Sequence, residues 1–264
     1  MIRFAVLGSG SSGNSYLFST DRSSVLVDAG FSLKELRRRA ALATLDFETV
    51  KGLCLTHMHP DHNRGAGVFA RKTGMPVHVH GNLVTHSVPE FTALGVPEHL
   101  VRTFEPGRPF VAGDFVITAF PTSHDSPHSV GFSLEAEGRC LTVLTDTGTV
   151  DDGMRFFIGR SDVLFIEANH DRKMLEEGPY PWMLKRRIAG EKGHLSNADT
   201  IGVLNESTLP AEALLYFCHL SRINNRPEVL ATACEHHMTW KGNATICEHG
   251  AVYNGCITRG DFVP

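Results

Sequence analysis

The sequence predicts a layered α/β fold, built as one domain over residues 1–264. Three observations predict it. Apolar and β-branched runs of strand length alternate with helical patterns along the whole chain. Clusters of histidine and aspartate follow directly on buried-looking strands, at His57, Asp146 and His219, where a layered fold displays functional residues on loops held by a rigid scaffold. No internal repeat, low-complexity tract or Pro/Ser-rich linker divides the chain, and the candidate ligands lie between residues 57 and 219, so one unit must fold around them. A length of 264 residues exceeds the usual ~100–200 per domain, but layered and sandwich domains reach it undivided.

In chain order, the runs Ile2 to Leu7, Ser15 to Ser19, Ser24 to Asp28 and Gly52 to Thr56 read as strands bounded by Gly, Ser and Asp, with a helix at Leu33 to Leu42. Further strands are expected at Phe115 to Phe120, Leu141 to Thr145, Val163 to Glu167 and Leu214 to Cys218. Between them, Arg64 to Thr73, Pro181 to Ile188, Ala198 to Ser207 and Arg226 to His237 carry helical periodicity. The tail beyond Thr239 offers no functional reading.

Composition bounds the function. With 42% hydrophobic and 20% charged residues the chain can bury a large core. The stretch Met1 to Gly8 lacks the apolar segment and cleavage site of a signal peptide, and no run approaches the ~20 apolar residues of a membrane span, so a cytoplasmic protein without membrane contact is expected. The six cysteines lack Cys-x-x-Cys spacing and are expected to be reduced. A net charge of -4 argues against a wholly basic nucleic-acid-binding surface but leaves room for a local basic groove. The unusual figure is 15 histidines, because imidazole is the commonest neutral metal ligand.

Seven chemistry-bearing side chains fall close together or at strand ends. His57, His59, Asp61 and His62 pack three imidazoles and a carboxylate into one short segment after the strand ending at Thr56. His57 and His59 can point the same way from an extended loop, while Asp61 and His62 turn toward a second ion about 3.5–4 Å away, the spacing of paired hydrolytic metals. A solvated polar loop is the bland alternative, and chance rarely sets such a motif directly after a buried strand. His124, Asp146 and His219, each at the end of an apolar run, are the remaining candidates.

The order His57-x-His59-x-Asp61-His62, His124, Asp146, His219 resembles the metal motifs of the metallo-β-lactamase superfamily. The resemblance implies a four-layer αββα sandwich with the metals at one edge between the sheets. It also implies His57, His59 and His124 around one ion, Asp61, His62 and His219 around the other, and Asp146 bridging them. An aspartate in place of a bridging cysteine disfavours a true β-lactamase. Histidine at position 59 differs from the carboxylate of the oxygen-reducing diiron branch, so Zn2+ or Mn2+ is expected. The stretches Gly8 to Ser15, Ile166 to Asp171, Gly193 to Asn197 and His219 to Asn225 further resemble the YycJ-type (WalJ or VicX) branch, which is associated with exonuclease activity on duplex DNA. The short intervals between His124, Asp146 and His219 leave no room for the inserted domain of RNase J-like nucleases or the tRNA-gripping arm of RNase Z.

The implied function is a two-metal phosphodiesterase acting on DNA from the 5' end, through attack by a metal-activated hydroxide. Asp61 is expected to accept a proton, and His194, oriented by Glu167, to protonate the leaving oxygen. Ser11, Ser12 and Asn14 are candidates for binding a substrate phosphate, Lys185, Arg186 and Arg187 for a basic track, and Ser196 for a further substrate contact. Asp28 is expected behind the ligands, accepting hydrogen bonds from the metal-binding loop or a ligand histidine. A repair protein is the partner such an activity suggests. The rival readings are a small-molecule, for example cyclic, phosphodiesterase and a non-catalytic, metal-stabilised binding protein.

Other signals rank lower. Gly8-x-Gly10-x-x-Gly13 matches a dinucleotide-binding fingerprint, but a strand rather than a helix follows it. Arg37 to Arg39 and Arg71-Lys72 read as solvated helix faces, and His78, His80, His236 and His237 as structural or surface residues.

Overall fold

The computed structural model describes residues 1–258. Fourteen strands are present among them: β1 (Ile2–Gly8), β2 (Ser15–Ser19), β3 (Ser24–Val27), β4 (Val50–Cys54), β5 (Val77–His80), β6 (Val101–Phe104), β7 (Phe110–Ala112), β8 (Phe115–Pro121), β9 (Val130–Ala136), β10 (Arg139–Leu144), β11 (Val163–Glu167), β12 (Leu214–Cys218), β13 (Asn243–Ile246) and β14 (Tyr253–Ile257). They form two seven-stranded mixed sheets, ordered β14-β1-β2-β3-β4-β5-β6 and β13-β12-β11-β10-β9-β8-β7.

Three apolar clusters define four layers. The inner faces of both sheets meet around Phe4, Tyr16, Phe18, Phe132 and Phe165. Phe165 is the hub, with Phe4, Tyr16, Phe18 and Tyr216 rings at 5.5, 5.5, 5.7 and 5.1 Å. The outer face of the first sheet packs on Leu36, Ala40, Phe69 and Ala70 from the helices Leu33–Leu42 and Ala66–Thr73. On the second sheet, Met154, Ile158, Leu204 and Leu230 from three further helices cover Leu164, Ile166 and Phe217. This is the αββα sandwich. Strands such as β2, β3 and β11 are buried on both faces, which is why they read as continuous apolar runs without alternation.

Most expected elements appear within one or two residues. The strand expected to run through Thr56 ends at Cys54, because Thr56 turns out of the sheet to donate from N and Oγ1 to the Asp28 carboxylate, both at 2.8 Å. Arg39 departs from the solvated face expected for its helix: it is buried, donates to the Leu7 carbonyl at 2.8 Å and stacks on Phe31. The described part of the tail, residues 240–258, is structural, since β13 extends one sheet beside β12 and β14 closes the edge of the other beside β1; residues 259–264 lie outside the described residues. All six cysteines are free thiols, and among the described residues no helix is long and apolar enough to cross a membrane.

Candidate metal centre

The site lies where strands of both sheets end along one edge of the sandwich. Asp28 follows β3, His57 follows β4 by way of Thr56, Asp146 follows β10 and His219 follows β12. Asp28, Asp146 and His219 have φ of 60°, 59° and 54°, a left-handed conformation that costs a non-glycine residue energy and is tolerated where the surroundings impose it. The turn lets each side chain leave its strand and face the common centre.

Five overlapping groups there could each hold an ion, with ligand atoms within 4.8 Å of one another: His57, His59 and His124; His57, His62 and Asp146; Asp61, His62 and His219; His124, Asp146 and His194; Glu167, His194 and His219. Asp146 occupies the middle. Its Oδ2 is 3.3 Å from His62 Nε2, and its Oδ1 is 3.6 Å from His219 Nε2 and 3.7 Å from His124 Nε2. Asp61 Oδ2 is 3.7 Å from both His62 Nε2 and His219 Nε2.

Behind this ring, a second set of groups fixes the ring nitrogens that point away from the centre. Asp28 Oδ2 lies 2.6 Å from His62 Nδ1, Thr56 Oγ1 lies 2.9 Å from His57 Nδ1, and the Gly193 carbonyl lies 3.1 Å from His124 Nδ1. Each of these three imidazoles is left with Nε2 for the centre. Glu167, fully buried, has Oε2 3.0 Å from His194 Nδ1 and 3.6 Å from His219 Nδ1, while its Oε1 accepts from the backbone of Thr147 and Leu195.

The donor set fits divalent metal ions. His57 Nε2, His219 Nε2 and Asp146 Oδ2 are buried and have no hydrogen-bond partner, an arrangement that costs about 1–3 kcal/mol per atom unless something satisfies them. Charge points the same way. Burial alone would raise the Asp146 carboxyl, yet His219, His62, His57 and His124 outweigh it and hold Asp146 well below the usual carboxylate range. Burial opposes protonation of His62, but Asp146, Asp28 and Asp61 push it up to about 9. Buried carboxylates here hold positive charge on neighbouring imidazoles, a role a cation fills when bound.

The remaining candidates distribute unevenly. Ser11 lines the cleft over the centre, a space of about 220 Å³. Ser12 is exposed, and its carbonyl accepts from Arg64. Asn14 is fully buried, with Nδ2 3.2 Å from Asp61 Oδ2 and 2.8 Å from His62 Nε2, so it touches the ligand candidates themselves and has no surface for a substrate. Ser196 is buried and caps the helix Asn197–Glu206, exchanging hydrogen bonds with Asp199, which leaves no hydroxyl for a substrate. Of the basic run, Arg187 lines the cleft, whereas Lys185 and Arg186 line a second cavity on the far side of their helix.

Two residues that sequence reasoning passed over belong to the site. Asp125 Oδ1 is 3.4 Å from His59 Nε2, and its Oδ2 accepts from Arg187, linking a ligand candidate to the basic helix. Asn169 lines the cleft and donates to the His219 carbonyl at 2.9 Å. Both stand in segments already conspicuous, Asp125 directly after His124 and Asn169 two residues after Glu167, but neither position says which way the side chain faces.

Comparison with known proteins agrees with this geometry. Residues 23–219 match the family model described as the beta-lactamase superfamily domain. The chain is 34% identical to the protein named exodeoxyribonuclease YycJ of Bacillus anthracis, over 91% of this chain and 90% of that one. It is 35% identical to exodeoxyribonuclease WalJ of Streptococcus pneumoniae, covering 86% and 84% of the two chains. Among solved structures, the metallo-β-lactamase-fold protein YhfI of Bacillus subtilis superposes with a TM-score of 0.70 at 20% identity, over 96% of this chain and 99% of that one. Zinc-bound PqqB of Methylobacterium extorquens gives 0.68 at 14% identity, over 95% and 99%. On sequence, fold and side-chain arrangement together, the chain belongs to the beta-lactamase superfamily, in its YycJ/WalJ-like branch.

Proposed function

We propose that this chain, acting as one domain over residues 1–264, is a two-metal phosphodiesterase that degrades duplex DNA from the 5' end. The observation that carries the reading is that His57 Nε2, His219 Nε2 and Asp146 Oδ2 are all buried without a partner among overlapping groups of metal-ligand side chains, several of which line an open cleft. The names of its relatives supply the substrate. His57, His59 and His124 are assigned to one ion, Asp61, His62 and His219 to the other, and Asp146 to both. Zn2+ or Mn2+ suits this mixture of imidazole and carboxylate. Paired divalent cations, when bound, supply an activated water and offset charge building on the phosphoryl oxygens.

The chain's own residues do the rest. Asp61, at the cleft, accepts the proton of the attacking water. His194, tethered by Nδ1 to Glu167, presents Nε2 to the leaving oxygen and donates to it, with Glu167 as its positioning residue. Arg187 holds Asp125, and through it His59, while its guanidinium adds positive charge at the cleft for a phosphate. Such an enzyme meets its DNA in the cytoplasm, in company with repair proteins.

The test is degradation of 5'-labelled and 3'-labelled duplex DNA with added manganese, comparing wild type with Asp61→Ala. Progressive loss by the wild type alone, steeply weakened by salt, is expected. Intact DNA under both would overturn the reading. The small volume of the cleft favours one rival, hydrolysis of a small cyclic phosphodiester, which salt would leave unaffected.

A further inference from the structure

The helix Trp182–Ile188 is a wall between two cavities. Leu184, Arg187 and Ile188 face the metal-centre cleft, while Trp182, Lys185 and Arg186 line a larger space of about 730 Å³ on the other side. That volume lies within the range of small-ligand pockets, roughly 300–1,000 Å³. The floor of the second cavity is tied to the centre by the chain itself. Gly148 and Thr149 line it two and three residues after Asp146, and His170 lines it three residues after Glu167. Gly148 packs so tightly on the Gly190 and Glu191 carbonyls that a Cβ there would collide with both, which locks this floor to the loop leading into His194.

Two features of the cavity, the exposed indole of Trp182 and the unpartnered Nδ1 of His170, have no structural task. Trp182 is 64% exposed, in contrast to the chain's other tryptophan, Trp240, which is buried in the core and donates to the Leu209 carbonyl. One face of Trp182 carries the Arg186 guanidinium, 4.7 Å from the ring centroid, and the indole remains open otherwise. His170 is 2% exposed and its Nδ1 has no hydrogen-bond partner, a buried polar atom left unspent beside the cavity.

Resting on the nuclease reading above, we propose that this cavity is a base-binding subsite, in which a nucleobase a few nucleotides from the scissile phosphate stacks on Trp182 and hydrogen-bonds at its edge to His170. The chemistry selects a nucleobase over a bare phosphate. Arg172 is paired with Asp199, and Glu176 and Glu191 also line the space, so the cavity as a whole is charge-balanced and does not concentrate anions. Burial holds His170 down to about 4, so at neutral pH it meets a base as a neutral donor or acceptor. An indole already backed by a guanidinium is a stacking platform that tolerates any base. The wall is one helix thick, about 10 Å with side chains, which a strand rising about 3.4 Å per nucleotide spans in roughly three nucleotides. Stacking there grips the strand without reading its sequence.

The experiment measures binding of phosphorothioate oligothymidylates, which resist hydrolysis, to the manganese-loaded full chain and its variants by isothermal titration calorimetry, with the wild type's intrinsic tryptophan fluorescence as a second signal. An octanucleotide is expected to quench the exposed Trp182, and a dinucleotide, too short to round the helix, is not. Trp182→Ala is expected to weaken the octanucleotide by about tenfold and to leave the dinucleotide unchanged. His170→Ala is expected to weaken the octanucleotide by a smaller factor. Turnover of bis(p-nitrophenyl) phosphate, which reaches only the metal centre, is expected to be equal in wild type and Trp182→Ala. If Trp182→Ala binds the octanucleotide as tightly as wild type while the wild type still degrades DNA, the subsite is overturned and the nuclease reading stands. If the wild type binds neither oligonucleotide and degrades no DNA, both fall together. A loss of bis(p-nitrophenyl) phosphate turnover in Trp182→Ala would also overturn the subsite, by showing that the indole supports the centre and not the strand.

Discussion

At the scale of single residues, orientation matters more than identity. Of the histidines around the centre, His194 is set apart by its tether to Glu167 at 3.0 Å, and it stands in the cleft wall. Its replacement by alanine leaves the His57, His59, His62, His124 and His219 imidazoles in place. His194→Ala is therefore expected to lower kcat by about 10²–10⁴ while bound metal, measured by elemental analysis, stays at the wild-type level. His78 shows the opposite kind of histidine. Burial, with Arg102 nearby, lowers its pKa to about 4, and its ring stacks on Phe110. Because the folded pKa lies below the unfolded value of about 6.5, the contribution is complete above pH 6.5 and is lost as pH falls through 4. His78→Phe should remove that dependence, so denaturant unfolding at pH 7 and pH 4 should differ by on the order of 2 kcal/mol less in the variant. Both residues were visible as histidines in the sequence, but burial and partners separated their roles.

Among the elements, the loops after the strands carry the precision of the site. The Asp28–Gly30 turn and the His57–His62 segment are laced together: Asn14 N donates to the Asp61 carbonyl at 2.7 Å, Ala29 N to the His62 carbonyl at 2.6 Å, and Gly30 N to the Asn14 carbonyl at 3.0 Å. Gly30 has no room for a side chain, since a Cβ there would overlap the Asp61 carbonyl and approach the Asn14 nitrogen. Gly30→Ala is expected to displace Asp61 and His62, reducing metal content and costing about 3 kcal/mol or more in denaturant unfolding. A surface glycine such as Gly74, with φ of 70° and open space around it, is expected to cost about 1 kcal/mol with no effect on metal. Periodicity found most helices and strands here, but not the contact between two loops that makes Gly30 indispensable.

Across the whole molecule, the centre joins the two sheets. His57 and His62 hang from the first sheet, and His124, Asp146 and His219 from the second. Cations bridging them would cross-link the halves of the sandwich at one edge, where the buried charges otherwise depend on shared protons. Chelation is expected to lower Tm by on the order of 10 °C, and added manganese or zinc to restore it, as measured by calorimetry. That shift corresponds to about 4 kcal/mol for ions held at a thousand times their Kd.

The layered fold class was legible in the order of residues alone, because doubly buried strands and amphipathic helices carry their periods locally. So were the candidate ligands, because His57, His59, Asp61 and His62 fall within six residues and His124, Asp146 and His219 follow apolar runs. What those residues face came from the packing of the folded chain. Arg187 turned to Asp125 while Arg186 turned to the second cavity, Arg39 went inside, Ser196 became a cap and the tail completed both sheets. Each of those outcomes depends on contacts between segments far apart in the chain, and neighbours in the sequence do not encode which distant segment will arrive beside them.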